Sequence, residues 1–113
     1  MGGVLERKGL VTFSSFDLSP VTAQASSGKG AGAPQSFTPA TAVILRADDN
    51  NSTGGISYGM GGTANAILYA GETDAYDFPP GYFCDLSQLC VSGTTGDVLH
   101  VRFFVLESVP GIT

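Results

Sequence analysis

Val98-Leu99-His100-Val101-Arg102-Phe103-Phe104-Val105-Leu106 decides how the rest of the chain is read. Leu99, Val101, Phe103 and Val105 fall on one side of an extended strand. Val98, His100, Arg102, Phe104 and Leu106 fall on the other. The first set is wholly apolar, and a histidine and an arginine interrupt the second. This is period-2 patterning, with one face for a core and one half solvated. β-Branched and aromatic residues fill the run, with no Pro or Gly to break it. It predicts the longest strand of an all-β domain, which earlier strands fold up to meet.

Working back along the chain, short strand patterns alternate with turn signals. Leu10-Val11-Thr12-Phe13 is a strand that Ser14 to Ser19 continues irregularly until Pro20. Thr41 to Ala47 is a strand with Val43, Leu45 and Ala47 on one face. Asp48 to Gly55 is a turn cluster and Ile56-Ser57-Tyr58-Gly59 a return strand, so 41–59 reads as a hairpin. Ala66 to Tyr69, Ala75 to Phe78 and Leu89 to Ser92 complete the set. Asp85 to Leu89 accommodates one 3₁₀ turn at most. The sum is seven or eight short antiparallel strands at a spacing of roughly ten residues, a β-sandwich or jelly-roll-like barrel.

At 113 residues the chain makes one domain. Residues 1–36 form an extended N-terminal segment with a first strand and a Gly/Ala/Ser-rich loop or flexible arm over 24–36. Residues 37–108 make the main part of the sandwich, and 109–113 a short tail. Charged residues are only 13% of the chain, about half the usual share. The deficit predicts a surface covered by partner subunits, with a Ser/Thr/Gly-coated surface as the alternative. The net charge is −5 with five Lys+Arg, which argues against nucleic-acid binding. The N-terminus has no apolar signal region and no apolar run is of membrane-spanning length, so synthesis and retention in a cytoplasm are expected.

No catalytic constellation emerges. His100 is the only histidine, sits mid-strand, and has no nucleophile-elbow motif to serve, so it reads as structural. Cys84 and Cys90 flank a turn and read as reduced thiols or a disulfide. Asp48-Asp49-Asn50-Asn51-Ser52 is rich in oxygen ligands but lacks EF-hand spacing, so it reads as a solvated turn. Asp74 and Asp77 read as edge-strand charges that block stray pairing. No catalytic residue, cofactor or metal is assigned, and the chain reads as a non-enzyme.

From Val43 to Val105 the sequence resembles the small β-sandwich virion proteins of tailed bacteriophages, of the capsid decoration, cement or head-fibre type. The motifs come in order. A strand ends in an acidic, Asn-rich turn, Ile44 to Asn51, and a Gly-x-x-Tyr-Gly return strand follows, Gly55 to Gly59. Ala70-Gly71-Glu72-Thr73 is a Gly-Glu turn. Asp85 to Leu89 and Val91 to Asp97 carry Asp-Leu-Ser-x-Leu and Val-Ser-Gly-x-x-Gly-Asp. The cysteine pair and Pro79-Pro80 depart from the family pattern.

The resemblance implies a non-enzymatic virion structural protein, made in the bacterial host cytoplasm and bound to the major capsid protein or other virion proteins. A homo-oligomer is expected, with a trimer favoured, and neither nucleic acid nor membrane as partner. The alternative is a head- or tail-fibre module that binds a receptor or glycan. Interface candidates are Lys29 and Pro34 in the 24–36 arm and Asp48, Asp49, Asn50 and Asn51 in the turn, chosen as mobile or projecting segments.

Overall fold

The protein is described from a computed structural model, which covers residues 11–21 and 30–106. The expectations for 1–10, 22–29 and 107–113, Lys29 among them, lie outside the described residues. Among those described, nine strands run in order: β1 (Val11–Leu18), β2 (Pro39–Ala40), β3 (Ala42–Ala47), β4 (Ile56–Met60), β5 (Ala66–Leu68), β6 (Thr73–Asp77), β7 (Cys84–Asp85), β8 (Leu89–Ser92) and β9 (Leu99–Leu106). One 3₁₀ turn, Leu86–Gln88, is capped by the Asp85 side chain, which accepts from the Ser87 amide. The chain is all-β and sandwich-like. A four-stranded sheet in the order β1-β9-β3-β6 faces a three-stranded sheet in the order β5-β4-β8, with the β2-β7 ribbon beside them.

The strand expected to organise the chain does so. β9 lies inside the large sheet, antiparallel to β1 on one side and to β3 on the other. Leu99 and Val101 are fully buried and Phe103 nearly so. Each such side chain contributes about 1.5–3 kcal/mol by leaving water. Val43, Leu45 and Ala47 of β3 and Leu18 of β1 extend the same face. Ile56, Tyr58, Leu68, Leu89 and Val91 meet it from the small sheet, with Leu86 of the 3₁₀ turn. Alternation in β3 and β4 is what turns one row of apolar residues per strand into a shared interior.

Three local expectations are corrected. Residues 41–59 are not a hairpin: β3 pairs with β6 and β9, and β4 pairs with β5 and β8. Both strands carry a strong apolar row, and facing rows exclude more water than rows lying side by side in one sheet. The link between them is long enough to cross the ~10 Å between packed sheets. Ser14 to Leu18 is not irregular but continues β1 in unbroken register with β9. β2 and β7, two residues each, carry too little pattern to be read from sequence. The described part of the 24–36 segment lies on the body: Ala31 bridges Ser19, and Ala33 is buried.

Polar side chains pin the crossing link. Asn51 donates through Nδ2 to the Val98 carbonyl (2.9 Å), and its Oδ1 accepts from the Val98 amide (2.8 Å). Asp97 is buried and accepts from the Ser52 amide (2.9 Å) and hydroxyl (2.6 Å). The loop that leaves β3 is thereby tied to the entrance of β9.

Gly59 in β4 meets the chain at close range. A Cβ there would lie 1.8 Å from the Thr63 carbonyl oxygen, so the backbone itself must move to admit it. Gly54 has nothing within 4 Å of that position. Gly59→Ala is therefore expected to lower unfolding free energy by more than about 2 kcal/mol, and Gly54→Ala to change it by no more than ~0.5 kcal/mol. Urea unfolding of the two variants checks the difference.

Candidate functional site

The register of β1, β9 and β3 builds the outer face of the large sheet. Asp17, His100 and Arg46 stand in one row across the strands, and Ser15, Arg102 and Ile44 in the next. Phe13 and Phe104 pair beyond them, ring centroids 5.1 Å apart. His100 is held at both nitrogens: Nδ1 lies 2.8 Å from Asp17 Oδ1 and Nε2 2.9 Å from Asp48 Oδ1. Arg46 pairs with Asp49 at 2.7 Å. A depression of about 350 Å³ opens here between Asp17, Ile44, Arg46, His100 and Arg102.

Chemistry follows from the partners. The hydrogen bond with Asp48, then that with Asp17, raises the His100 pKa. The hydrogen bond with His100, then the Asn50 amide, lowers that of Asp48. When protonated, the imidazole donates to both carboxylates and is a clamp joining β1, β9 and the loop after β3. With both nitrogens on carboxylates, the ring is not placed to take a proton from a hydroxyl.

A second site lies inside the sandwich near its β6 edge. A cavity of about 470 Å³ has apolar walls from both sheets, among them Val43, Leu45, Ala66, Phe78 and Leu89. Tyr58 and Tyr76 also line it, and both donate to Asp74 Oδ2. The Tyr58 donor, then the Tyr76 donor, lowers the Asp74 pKa, while burial, then Asp74, raises that of Tyr58. Asp74 thus shares the inward face of its edge strand and joins the two sheets, rather than serving only as a charge against stray pairing. Cys84 lines the same cavity, its thiol pKa raised by burial, then by Asp85; it and Cys90 are free thiols. Among the described residues no group of three or more His, Cys, Asp or Glu side chains is arranged to hold a metal ion.

The third feature is apolar and exposed. Phe37 precedes β2 and Phe83 precedes β7, and their rings meet edge to face with centroids 5.6 Å apart. They remain 62% and 51% exposed, and neighbouring Tyr82 67%.

Of the sequence candidates, Asp48, Asp49, Asn50 and Asn51 stand together in the loop after β3. Asp48 and Asn51 are engaged within the chain, Asp49 faces Arg46, and Asn50 is exposed with its amide on Asp48 (2.9 Å). Pro34 is half-buried beside buried Ala33. The His100 clamp and the Tyr58–Asp74–Tyr76 group escaped sequence reasoning because their partners meet only through sheet register or across sheets. The one available signal was a single histidine on the mixed face of the longest strand.

No family model matches the chain, and searches among curated proteins and solved structures return no match.

The clamp makes stability depend on pH in a defined sense. A raised histidine pKa stabilises fully below the ordinary value of 6.5, and this is lost as pH rises through the folded value. A lowered Asp48 pKa stabilises above the ordinary value of 3.8, and this is lost as pH falls through the folded value. The thermal midpoint of the natural chain is expected to exceed that of His100→Gln most between these two ordinary values. The gap shrinks toward alkaline pH, as thermal unfolding followed across pH would show.

Proposed function

We propose that the chain is a virion structural protein of a tailed bacteriophage, of the capsid decoration or cement type, which works by association with the major capsid protein lattice. The observation that carries this reading is the exposed aromatic pair Phe37 and Phe83, with Tyr82 exposed next to Phe83 in the chain, on a sandwich-like body of low charge. Large aromatic side chains held in water beside one another are the composition of a protein interface core. The sequence resemblance points the same way. In this reading the protein is made in the host cytoplasm, assembles on the virion as a homo-oligomer, with a trimer favoured, and buries these aromatics against subunits.

A second reading, a head- or tail-fibre module that binds a receptor or glycan, is favoured by the depression on the outer face of the large sheet. Asp17, Arg46 and Arg102 around it offer both acceptors and donors to a hydroxyl-rich ligand.

The test is co-sedimentation with capsids assembled from the major capsid protein of the same genome, with bound copies counted per particle. Lattice-wide occupancy is expected. The double variant Phe37→Ser, Phe83→Ser is expected to weaken binding by roughly tenfold or more while leaving the thermal midpoint nearly unchanged, since both rings are exposed. A monomer that ignores capsids and binds on a glycan array would overturn the first reading in favour of the second.

A further inference from the structure

The cavity between the two sheets has a wall without charge: no acidic or basic residue lines it. Met60, Thr63, Asn65 and Tyr76 line it and are exposed to solvent. Val43, Leu45, Tyr58, Leu86 and Leu89 line it and are buried. The space therefore has a wet rim and an apolar floor.

The floor offers little to water. Tyr58 is the one polar side chain of the buried set, and its hydroxyl donates to Asp74, which does not line the cavity. The Gly59 carbonyl accepts from the Cys90 thiol, with Sγ at 3.3 Å. A buried water needs about two to four polar partners, and groups already bonded within the chain supply few. An apolar group on this floor exchanges poorly held water for dispersion contacts. A charged group there would lose its hydration and meet no counter-charge in the wall.

The glycine-rich run Gly59-Met60-Gly61-Gly62 fixes one side of the rim. The Gly61 amide donates to the Gln88 carbonyl (3.0 Å), and the Thr63 carbonyl lies against Gly59, where a Cβ would collide with it. These contacts tie the loop before β5 to β4 and to the 3₁₀ turn, so this side of the opening is built by the fold itself. Met60, 41% exposed, adds a flexible and polarisable thioether at the same place. The volume of about 470 Å³ is within the usual range for small-molecule sites, and roughly 150 Å³ is enough for benzene. We propose that the inter-sheet cavity binds a small, neutral, apolar molecule of one or two rings, seated on Val43, Leu45, Leu86 and Leu89. Neither Phe37 nor Phe83 lines the cavity, so this assignment and capsid association can fail independently.

The chain contains no tryptophan, so added indole reports its own surroundings by fluorescence. The test is titration of the full chain at neutral pH with indole, tryptamine and indole-3-acetate, which share one ring system. Indole emission is expected to shift to shorter wavelength, and indole to bind at least about tenfold more tightly than either charged analogue. Ala66 lines the cavity and stands opposite Tyr58 in the pairing of β5 with β4. Ala66→Phe is therefore expected to fill the space and weaken indole binding by at least about tenfold. Indole is also expected to slow alkylation of Cys84, which lines the cavity, in the natural chain. If Ala66→Phe fails to fold, the Cys84 protection decides, and its absence would overturn the proposal. So would the absence of an emission shift, a charged analogue that binds as tightly as indole, or unchanged indole affinity in a folded Ala66→Phe chain. Protection of Cys84 by capsids but not by indole would assign the cavity to a side chain of a partner subunit and overturn the proposal as well.

Discussion

Burial of one face of β9 while both of its edges are paired is the constraint on which the structure rests. Leu99 and Val101 lose all contact with water, and β1 and β3 take up the backbone groups on either side. A strand in that position has no free edge, so its register is set twice. The inward row then dictates where the second sheet must lie, because only a facing apolar layer can cover it. β4 and β8 supply that layer through Ile56, Tyr58, Leu89 and Val91.

The same register places the polar groups on the other face. Because Asp17, His100 and Arg46 occupy one row, a histidine and its carboxylates meet without any local sequence motif. Asp48 reaches the ring from the loop that leaves β3, and Asn51 and Asp97 hold that loop to the start of β9. Charge and hydrogen bonding therefore secure the route by which the chain passes from one sheet to the other. This explains why an Asp/Asn-rich turn in this chain is engaged with its own backbone rather than simply solvated.

The exposed aromatic residues and the inter-sheet cavity differ in chemistry. The Phe37, Tyr82 and Phe83 group is apolar and open, suited to flat association. The inter-sheet cavity is mostly apolar, with Tyr58 and Tyr76 among the residues that line it. The β2-β7 ribbon carries the first, and edge strand β6 with β4, the central strand of the small sheet, contributes to the wall of the second.

What the sequence determined by itself was the all-β class, the extent of most strands, and the core rows Val43/Leu45/Ala47 and Leu99/Val101/Phe103. These follow from alternation and turn chemistry, which act over a few residues. Only tertiary structure decided that β3 and β4 face each other across the core rather than forming a hairpin. It alone joined His100 to Asp17 and Asp48, Tyr58 to Asp74 and Tyr76, and Phe37 to Phe83. The reason is that period-2 patterning tells which way a side chain points and not which strand it points toward. That choice is made by the packing of one apolar face on another, a property of the whole sandwich.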